Sequence, residues 1–493
     1  MKRILITKIL IIAMIIPALS QNSVDALRYS KITFGGTARY MGMCGAFGAL
    51  GADFSVLSTN PAGIGLYKRS EYTITPSIYM GKTTSKYNGQ TGEDNKMNFN
   101  LGNAGIILTQ DIHQRKKGGG WKNVQFGFGL NRTNNFNNRI YIEGVNSKNS
   151  LVDTYAEYAD GIYYRDIEKD KYGDYAYDLN LAWWTYLIDT IGGSATYKSA
   201  APPGNILQRK SIESWGSMNE MVLSFGANYN DRLYIGATFS FPYIRYFQRS
   251  TYRETALTEA TLPNDKFREF TLWDDLETRG TGFNFKFGLI YRVADWIRLG
   301  AAIHTPTYYK NLTDEWNTSI KSEFDDGFNE VRSSPYGTFD YDLTTPLRAI
   351  GSIAFIIGQY GLISADYEYV NYSEARLRSK SYSFFNENDD INAKYTSTGN
   401  IRVGTEWRYD RFRFRGGYAF YGSPFKSGIN DGKQNSYSLG LGFREKYYFI
   451  DFAWVLTKSS EDYYLYGTQD IVVNPVKNDF TNNNFLLTLG LRF

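Results

Sequence analysis

Cysteine and histidine are almost absent: Cys44, His113 and His304 are the whole supply. A lone cysteine forms no disulfide within its own chain, and so few soft ligands argue against zinc. A serine–histidine hydrolase is equally short of material, since His113 falls in the turn "IHQRKKGGGW" and His304 shows no partner set. No glycine-rich phosphate cradle follows a strand and opens a helix. An excess of one charge is also missing. The 54 basic and 50 acidic side chains leave a net charge of +4, too balanced for a nucleic-acid partner. Beyond residue 20 there is no run of about 18 apolar residues, so no transmembrane helix is expected. These absences point away from an enzyme, and no cofactor or metal is expected.

Aromatics, in contrast, make up 17 % of the chain, which excludes bulk disorder. The first residues read as a secretory signal over 1–20: Lys2, Arg3 and Lys8, then the short apolar core "ILIIAMII", Pro17 and "ALS", with cleavage expected after Ser20. No cysteine follows that point, so no lipid anchor is expected there.

Strict alternation dominates the rest. In "NNFLLTLGLRF", Phe485, Leu487, Leu489, Leu491 and Phe493 share one face, and Leu486, Thr488, Gly490 and Arg492 share the other. "MVLSFGANY", "LYIGATFSF", "FNFKFGLIYRV", "IRVGTEWRY", "RFRFRGGYAF" and "YSLGLGF" repeat the pattern. Strands are expected near 71–81, 97–110, 122–131, 218–230, 232–249, 266–293, 297–310, 335–357, 361–373, 397–409, 411–422, 433–444, 447–459 and 482–493. Tight turns at Asn230-Asp231, Ala294-Asp295, Gly358-Gln359, Asp410 and Glu445-Lys446 alternate with long polar loops near 82–96, 143–217, 251–265, 311–334, 376–395, 423–432 and 461–479. An even count of about fourteen, with short turns on one side and long loops on the other, predicts an all-β fold, a transmembrane antiparallel β-barrel spanning 71–493. Its longest extracellular loop is expected at 143–217. The terminal aromatic resembles the assembly signal read by the outer-membrane barrel insertion machinery, which is one expected partner. Outer-membrane lipids are another.

Residues 21–70 resist this pattern. "GGTARYMGMCGAFGAL" is small and apolar, with Met41, Phe47 and Leu50 spaced for short helical turns. A barrel of about fourteen strands has a lumen wider than its own side chains fill. This segment is therefore expected to fold back as an N-terminal plug.

The junction "GADFSVLSTNPAGIGLYKRSEYT", with Asp53, Ser55, Asn60, Pro61, Ala62 and Gly63, resembles the plug-to-first-strand junction of the FadL/TodX family of outer-membrane transporters. "TPLRAIGSIAF" through "ISADYEYVNYS", and "NIRVGTEWRYDRFRFRGGYAFYGSPF", resemble its late strands in order. The resemblance implies an outer-membrane monomer of a Gram-negative bacterium that takes up hydrophobic compounds, such as long-chain fatty acids, passively. Ligand would leave sideways at an inward kink of the third strand, with Asn60, Pro61 and Ala62 beside it. A barrel of this kind acting as a shuttle in type IX protein secretion is the main alternative. A hemin-related receptor and a general porin are weaker ones.

Three groups of residues bear on that implication, each with two readings. Alternation in "VQFGFGL" breaks at Asn131, Arg132 and Asn134, which marks either the kink or a strand that has already left the membrane. "YDLNLAWWTYLIDTIGG" reads as a helix capped by Asp178 and ended by Gly192-Gly193. Its Trp183, Trp184, Tyr186 and Leu187 either catch ligand or pack on their own loop. Lumen phases carry Lys286, Arg292, Arg298, Arg348, Arg402, Arg408, Arg413, Arg415, Arg444 and Arg492 against Asp366, Glu368, Glu406 and Asp451. The excess either serves an anionic head group or forms an ion-pair ladder.

Overall fold

The computed structural model describes residues 23–112, 120–257, 267–468 and 470–493. The expected signal peptide and His113 lie outside these. The wall is a closed barrel of fourteen antiparallel strands. In order they are β1 (Glu71–Tyr87), β2 (Gln90–Asp111), β3 (Trp121–Asn135, then Asn138–Asn146), β4 (Ile206–Tyr229), β5 (Leu233–Ala256) and β6 (Phe267–Ala294). There follow β7 (Ile297–His304, then Tyr308–Phe324), β8 (Gly337–Thr344, then Arg348–Ile357), β9 (Gly361–Asn371, then Arg376–Arg378) and β10 (Ser397–Tyr409). The last four are β11 (Phe412–Tyr421), β12 (Gln434–Arg444), β13 (Tyr448–Tyr463) and β14 (Val476–Arg492). Pairing of β1 with β14, from Glu71↔Arg492 to Lys86↔Lys477, closes the ring and leaves no terminal edge.

The period-two pattern sets which face looks outward. Tyr72, Ile78 and Met80 are exposed on the outer face of β1, while Thr73, Thr75 and Ser77 are buried inward. At the short-turn end the outer face carries Trp121, Tyr229, Tyr291, Trp296, Tyr360 and Tyr409, an aromatic girdle of the kind that sits at a membrane–water interface. At the long-loop end the strands run on past the apolar belt. The polar loop expected at 82–96 is therefore mostly strand. It turns at Asn88 (φ 47°) and Gly89 (φ 83°), the Asn-Gly pair that a two-residue hairpin favours. Wall strands seven and eight break together at Pro306 and Pro346, where the backbone N–H is missing; Thr345 N–H donates to Thr307 O (3.0 Å) across the break.

Residues 23–70 lie inside the lumen. They form α1 (Ser23–Ser30), α2 (Ala38–Met41) and 3-10 turns at Phe54–Ser58 and Pro61–Leu66. Asp53 and Asn60 cap the two turns by accepting the N–H of Ser55 (3.0 Å) and Ala62 (3.1 Å). The plug meets the wall backbone to backbone. A Cβ on Gly404 would sit 2.6 Å from Met43 O, and one on Gly417 2.5 Å from the Met43 carbonyl carbon. Added methyls on Gly236 and Gly300 would overlap the carbonyls of Pro61 and Gly48. Wall carboxylates reach in as well: Asp366 accepts the N–H groups of Phe47 and Gly48, each at 3.1 Å.

Gly300→Val should therefore unseat the plug without dissolving the wall, whose ladder bonds do not involve it. The expected result in planar bilayers is a conducting channel from heat-modifiable, folded protein. Folded Gly300→Val protein that stays as silent as the parent would refute the close-contact account.

Candidate functional site: a wall gap beside a basic cavity

The wall is incompletely zipped at one place. β1 and β2 pair along their whole length, from Glu71↔Ile107 to Tyr87↔Gln90. The β2–β3 ladder runs only from Asp111↔Asn123 to Asn103↔Asn131. Above it, the edge of β2 from Gln90 to Gly102 has no paired strand on that side. Met97 and Phe99 lie on this stretch and point outward, Phe99 with 74 % of its surface exposed.

The local sequence explains the break. In "NRTNNFNN" the side chains bond the chain itself: Asn134 Oδ1 accepts the N–H of Asn135 (2.8 Å), and Asn135 Oδ1 that of Asn137 (3.1 Å). Such bonds compete with a ladder. A register shift on the β4 side falls between Arg132 and Asn134. The second half of β3 then crosses the inner face of the β1–β2 hairpin, where Thr83 Oγ1 donates to Asn138 Oδ1 (3.0 Å). Asn103 seals the bottom of the gap by donating to Asn131 Oδ1 (2.9 Å). Arg132 Nε spans it to Leu101 O (3.2 Å), and Lys96 bridges above it to Glu213 (2.8 Å).

The plug lines the inner side of this gap with residues the sequence reading did not single out. Thr33 N–H donates to Thr133 O (3.1 Å), Asn134 Nδ2 to Lys31 O (3.2 Å) and Asn131 Nδ2 to Ser58 Oγ (2.8 Å). A Cβ on Gly35 would overlap Arg132 O. Asn60, Pro61 and Ala62 lie elsewhere, against β5 and β6. Asn60 Nδ2 donates to Gly48 O (2.6 Å) and Leu289 O (3.2 Å), and Gly236 gives room to Pro61. Gly63 N–H closes the turn on Asn60 O (3.0 Å), and its own carbonyl receives Ala52 N–H (2.9 Å). Asn60, Pro61 and Ala62 thus dock a few strands along from the break, while Ile64 of the same turn still packs against Gly127 of β3; Lys31–Gly35 and Ser58 are what meet Asn131–Asn134. No capping or turn signal marks those residues.

Between plug and gap lies a cavity of about 40 Å³, lined among others by Phe34, Tyr40, Thr59, Arg132, His304 and Arg402. That is room for about one or two waters and for no larger molecule in this conformation. Its charged wall is dense. Arg348 Nη1 and Arg402 Nη1 share Glu368, at 2.5 and 3.2 Å, and Lys286 pairs with Glu220 (2.5 Å). His304 Nε2 lies 2.7 Å from Thr59 O. Arg402 is 4 % exposed; its Nε stands 3.8 Å from Asp366 Oδ2, an ion pair too long for a hydrogen bond, and its Nη2 has no hydrogen-bond acceptor among the described residues.

The other lumen charges sit lower. Glu406 binds Arg39 of the plug (3.1 Å) and Arg415 (2.7 Å); Arg415 reaches Asp451 (2.7 Å), which also holds Arg444 (3.0 Å). These form a ladder. Arg408 stands 3.7 Å from Glu406, and Arg413 donates to the carbonyls of Asp410 and Phe412 (2.7 Å each). No cluster of His, Cys, Asp or Glu fit to hold a metal occurs among the described residues.

A cap covers the long-loop end. It contains α3 (Leu151–Ala159), α4 (Tyr164–Lys169) and α5 (Leu179–Trp184). The helix expected to reach Gly192 ends earlier. Tyr186 takes φ 57°, and Ile188–Thr190 pairs with Tyr197–Ser199 as a hairpin whose turn uses Gly192 and Gly193. β-Branched Ile188 and Thr190 suit the strand. Asp178 does cap α5, through the N–H of Leu179. Leu187 is fully buried, Trp183 stacks on Tyr164 (5.7 Å), and Trp184 Nε1 donates to Glu168 O (3.1 Å). Only Tyr186, edge-on to Phe328, is left exposed among them. Glu254 ties the cap to β5. It accepts Ser150 Oγ, Leu151 N–H (2.9 Å), Gln208 Nε2 (2.7 Å) and the Tyr252 hydroxyl (2.5 Å).

A closed antiparallel barrel with an internal N-terminal plug and an interrupted third strand defines a class of plugged β-barrel fold. Solved structures that share it include a Pseudomonas aeruginosa FadL homologue, the P. putida toluene transporter TodX and the Ralstonia pickettii toluene transporter TbuX. The first is 12 % identical over 94 % of this chain and 100 % of its own, with a TM-score of 0.55. TodX is 11 % identical over 93 % and 99 %, at 0.53; TbuX is 14 % identical over 93 % and 99 %, at 0.50. The chain has the FadL-type fold. No protein-family model and no curated protein matches its sequence.

Burial pushes the Glu254 carboxyl up to about 6 against its four donors, and Asp178 up to about 7. A carboxyl raised in the folded state favours folding while protonated, so this contribution is full below about pH 4.5 and is lost as pH rises through about 6. For Glu254 it is worth about 2 kcal/mol. Hydrogen exchange at the Leu151 amide should therefore show greater intrinsic protection at pH 5 than at pH 7.5. Glu254→Gln should flatten that dependence. An opposite slope would mean that the donors outweigh burial.

Proposed function

We propose that the protein is an outer-membrane channel for passive uptake of hydrophobic compounds, long-chain fatty acids among them, and is not an enzyme. Ligand enters from the long-loop side, reaches the cavity under α1, and leaves sideways into the membrane between β2 and β3. The observation that carries this reading is the end of the β2–β3 ladder at Asn103↔Asn131, directly outside the cavity. The opening is level with lipid-facing Phe99 and Met97, so an apolar molecule passing there avoids water. The Nη2 group of Arg402, without an acceptor among the described residues, favours a carboxylate head group at the inner end, since a charge-assisted bond to a buried guanidinium is a strong one. The shared fold with the toluene transporters supports hydrophobic cargo. The exposed Phe493, whose N–H donates to Ser70 O (3.1 Å), is left for the insertion machinery, and we take the protein to act as a monomer.

A disulfide across the gap tests lateral exit. In Leu101→Cys/Arg132→Cys protein, oxidation should cut uptake of a labelled fatty acid several-fold in whole cells, and reductant should restore it. Full cross-linking with unchanged uptake would refute the lateral route.

A further inference from the structure

Beneath the plug, at the short-turn mouth, the lumen carries arginines that the uptake path does not use. Arg292 of β6 lies directly opposite Arg298 of β7, and Arg408 of β10 directly opposite Arg413 of β11. Like charges in cross-strand register destabilise a sheet unless something neutralises them. The chain supplies little that does. Asp295, almost wholly in solvent, binds Arg292 Nη2 (2.7 Å). Glu406, already held by Arg39 and Arg415, stands 3.7 Å from Arg408. Among the described residues, the hydrogen bonds of the Arg298 guanidinium go only to the Leu50 carbonyl (3.2 Å), and those of Arg413 only to two backbone carbonyls of its own turn. The Nε–H groups of Arg292 and Arg298 are sealed from solvent with no acceptor.

We propose that this vestibule is a binding site for an oxyanion, carboxylate or phosphate, arriving from the periplasmic side. Guanidinium groups offer paired N–H donors that match such groups. The site is open, since the side chains of Arg408 and Arg292 are 41 % and 31 % exposed. It lies inside the wall, which suits a small polyanion or an extended acidic chain better than a folded surface. Leu50 O of the plug accepts Arg298 Nη1 and so holds this guanidinium at the underside of the plug, where the anion would bind it.

The test is calorimetric titration of the full chain in nonionic detergent at low salt, with citrate and with hexaglutamate as probes. Binding of citrate identifies a small anion as the source, and binding of hexaglutamate alone identifies an acidic chain. Either should weaken about tenfold or more in Arg298→Gln/Arg413→Gln and fall with added salt. Arg249→Gln, on the outer face above the membrane, should bind as the parent does. If the double variant does not fold, Arg408→Gln, whose one ion pair among the described residues is the 3.7 Å approach to Glu406, gives the same reading. No heat with either probe, or binding unchanged in the vestibule variants, overturns the proposal.

Discussion

The rest of the molecule depends on one contact: plug backbone lying against wall backbone where inward positions are glycine. A ring of this size cannot be filled by its own side chains. Filling it with a separate segment works only if that segment docks without a layer of side chains between. Gly236, Gly300, Gly404 and Gly417 provide the approach on opposite parts of the ring. The plug in turn brings Arg39 to Glu406, and the N–H groups of Phe47 and Gly48 to Asp366. Inward carboxylates that would otherwise face a wet channel are thereby satisfied.

The same docking makes the wall gap tolerable. An unpaired strand edge at membrane depth leaves polar groups that cost several kcal/mol each when lipid covers them. At this gap the debt is reduced from inside. Arg132 takes the Leu101 carbonyl, and Thr33 N–H of the plug donates to the Thr133 carbonyl. Gap and plug are therefore one construction. A plug that moved away from Arg132–Asn134 would expose the edge and enlarge the cavity together.

The barrel was legible because its signal is long-range and redundant. Every strand repeats the same alternation, so phases such as Thr73, Thr75 and Ser77 inward could be read without knowing any partner. The hairpin at Asn88-Gly89 was legible too, in its Asn-Gly pair, but the polar content of 82–96 suggested a loop. Strands that continue above a membrane are polar on both faces, and polarity alone does not end them. The helix after Asp178 was overextended because cap and terminal glycines fit a helix, while Tyr186 in the left-handed region has no sequence mark. The site was harder still. Asn131, Arg132 and Asn134 stand out as a broken alternation. That Ser58 and Lys31–Gly35 meet them, while Asn60-Pro61-Ala62 dock on β5 and β6, follows from how the plug coils, and single-residue patterns do not encode that path.

Charge is layered around the plug in a way that separates two tasks. Above it, beside the gap, Arg348, Arg402 and Lys286 are matched by Glu368, Asp366 and Glu220, with Arg402 Nη2 left without a hydrogen-bond acceptor among the described residues. Below it, Arg292, Arg298, Arg408 and Arg413 are matched by much less. Between the layers, Arg39–Glu406–Arg415–Asp451–Arg444 ties plug to wall. A continuous aqueous pore would let these layers share counter-ions, and the imbalance would carry no information. The plug prevents that sharing. An ion at the lower mouth cannot neutralise Arg402, and a head group at Arg402 cannot neutralise Arg298. The two basic sites are therefore electrostatically independent to the extent that the plug stays seated. The wall glycines that seat it thereby keep the cavity beside the gap separate from the basic mouth at the short-turn end.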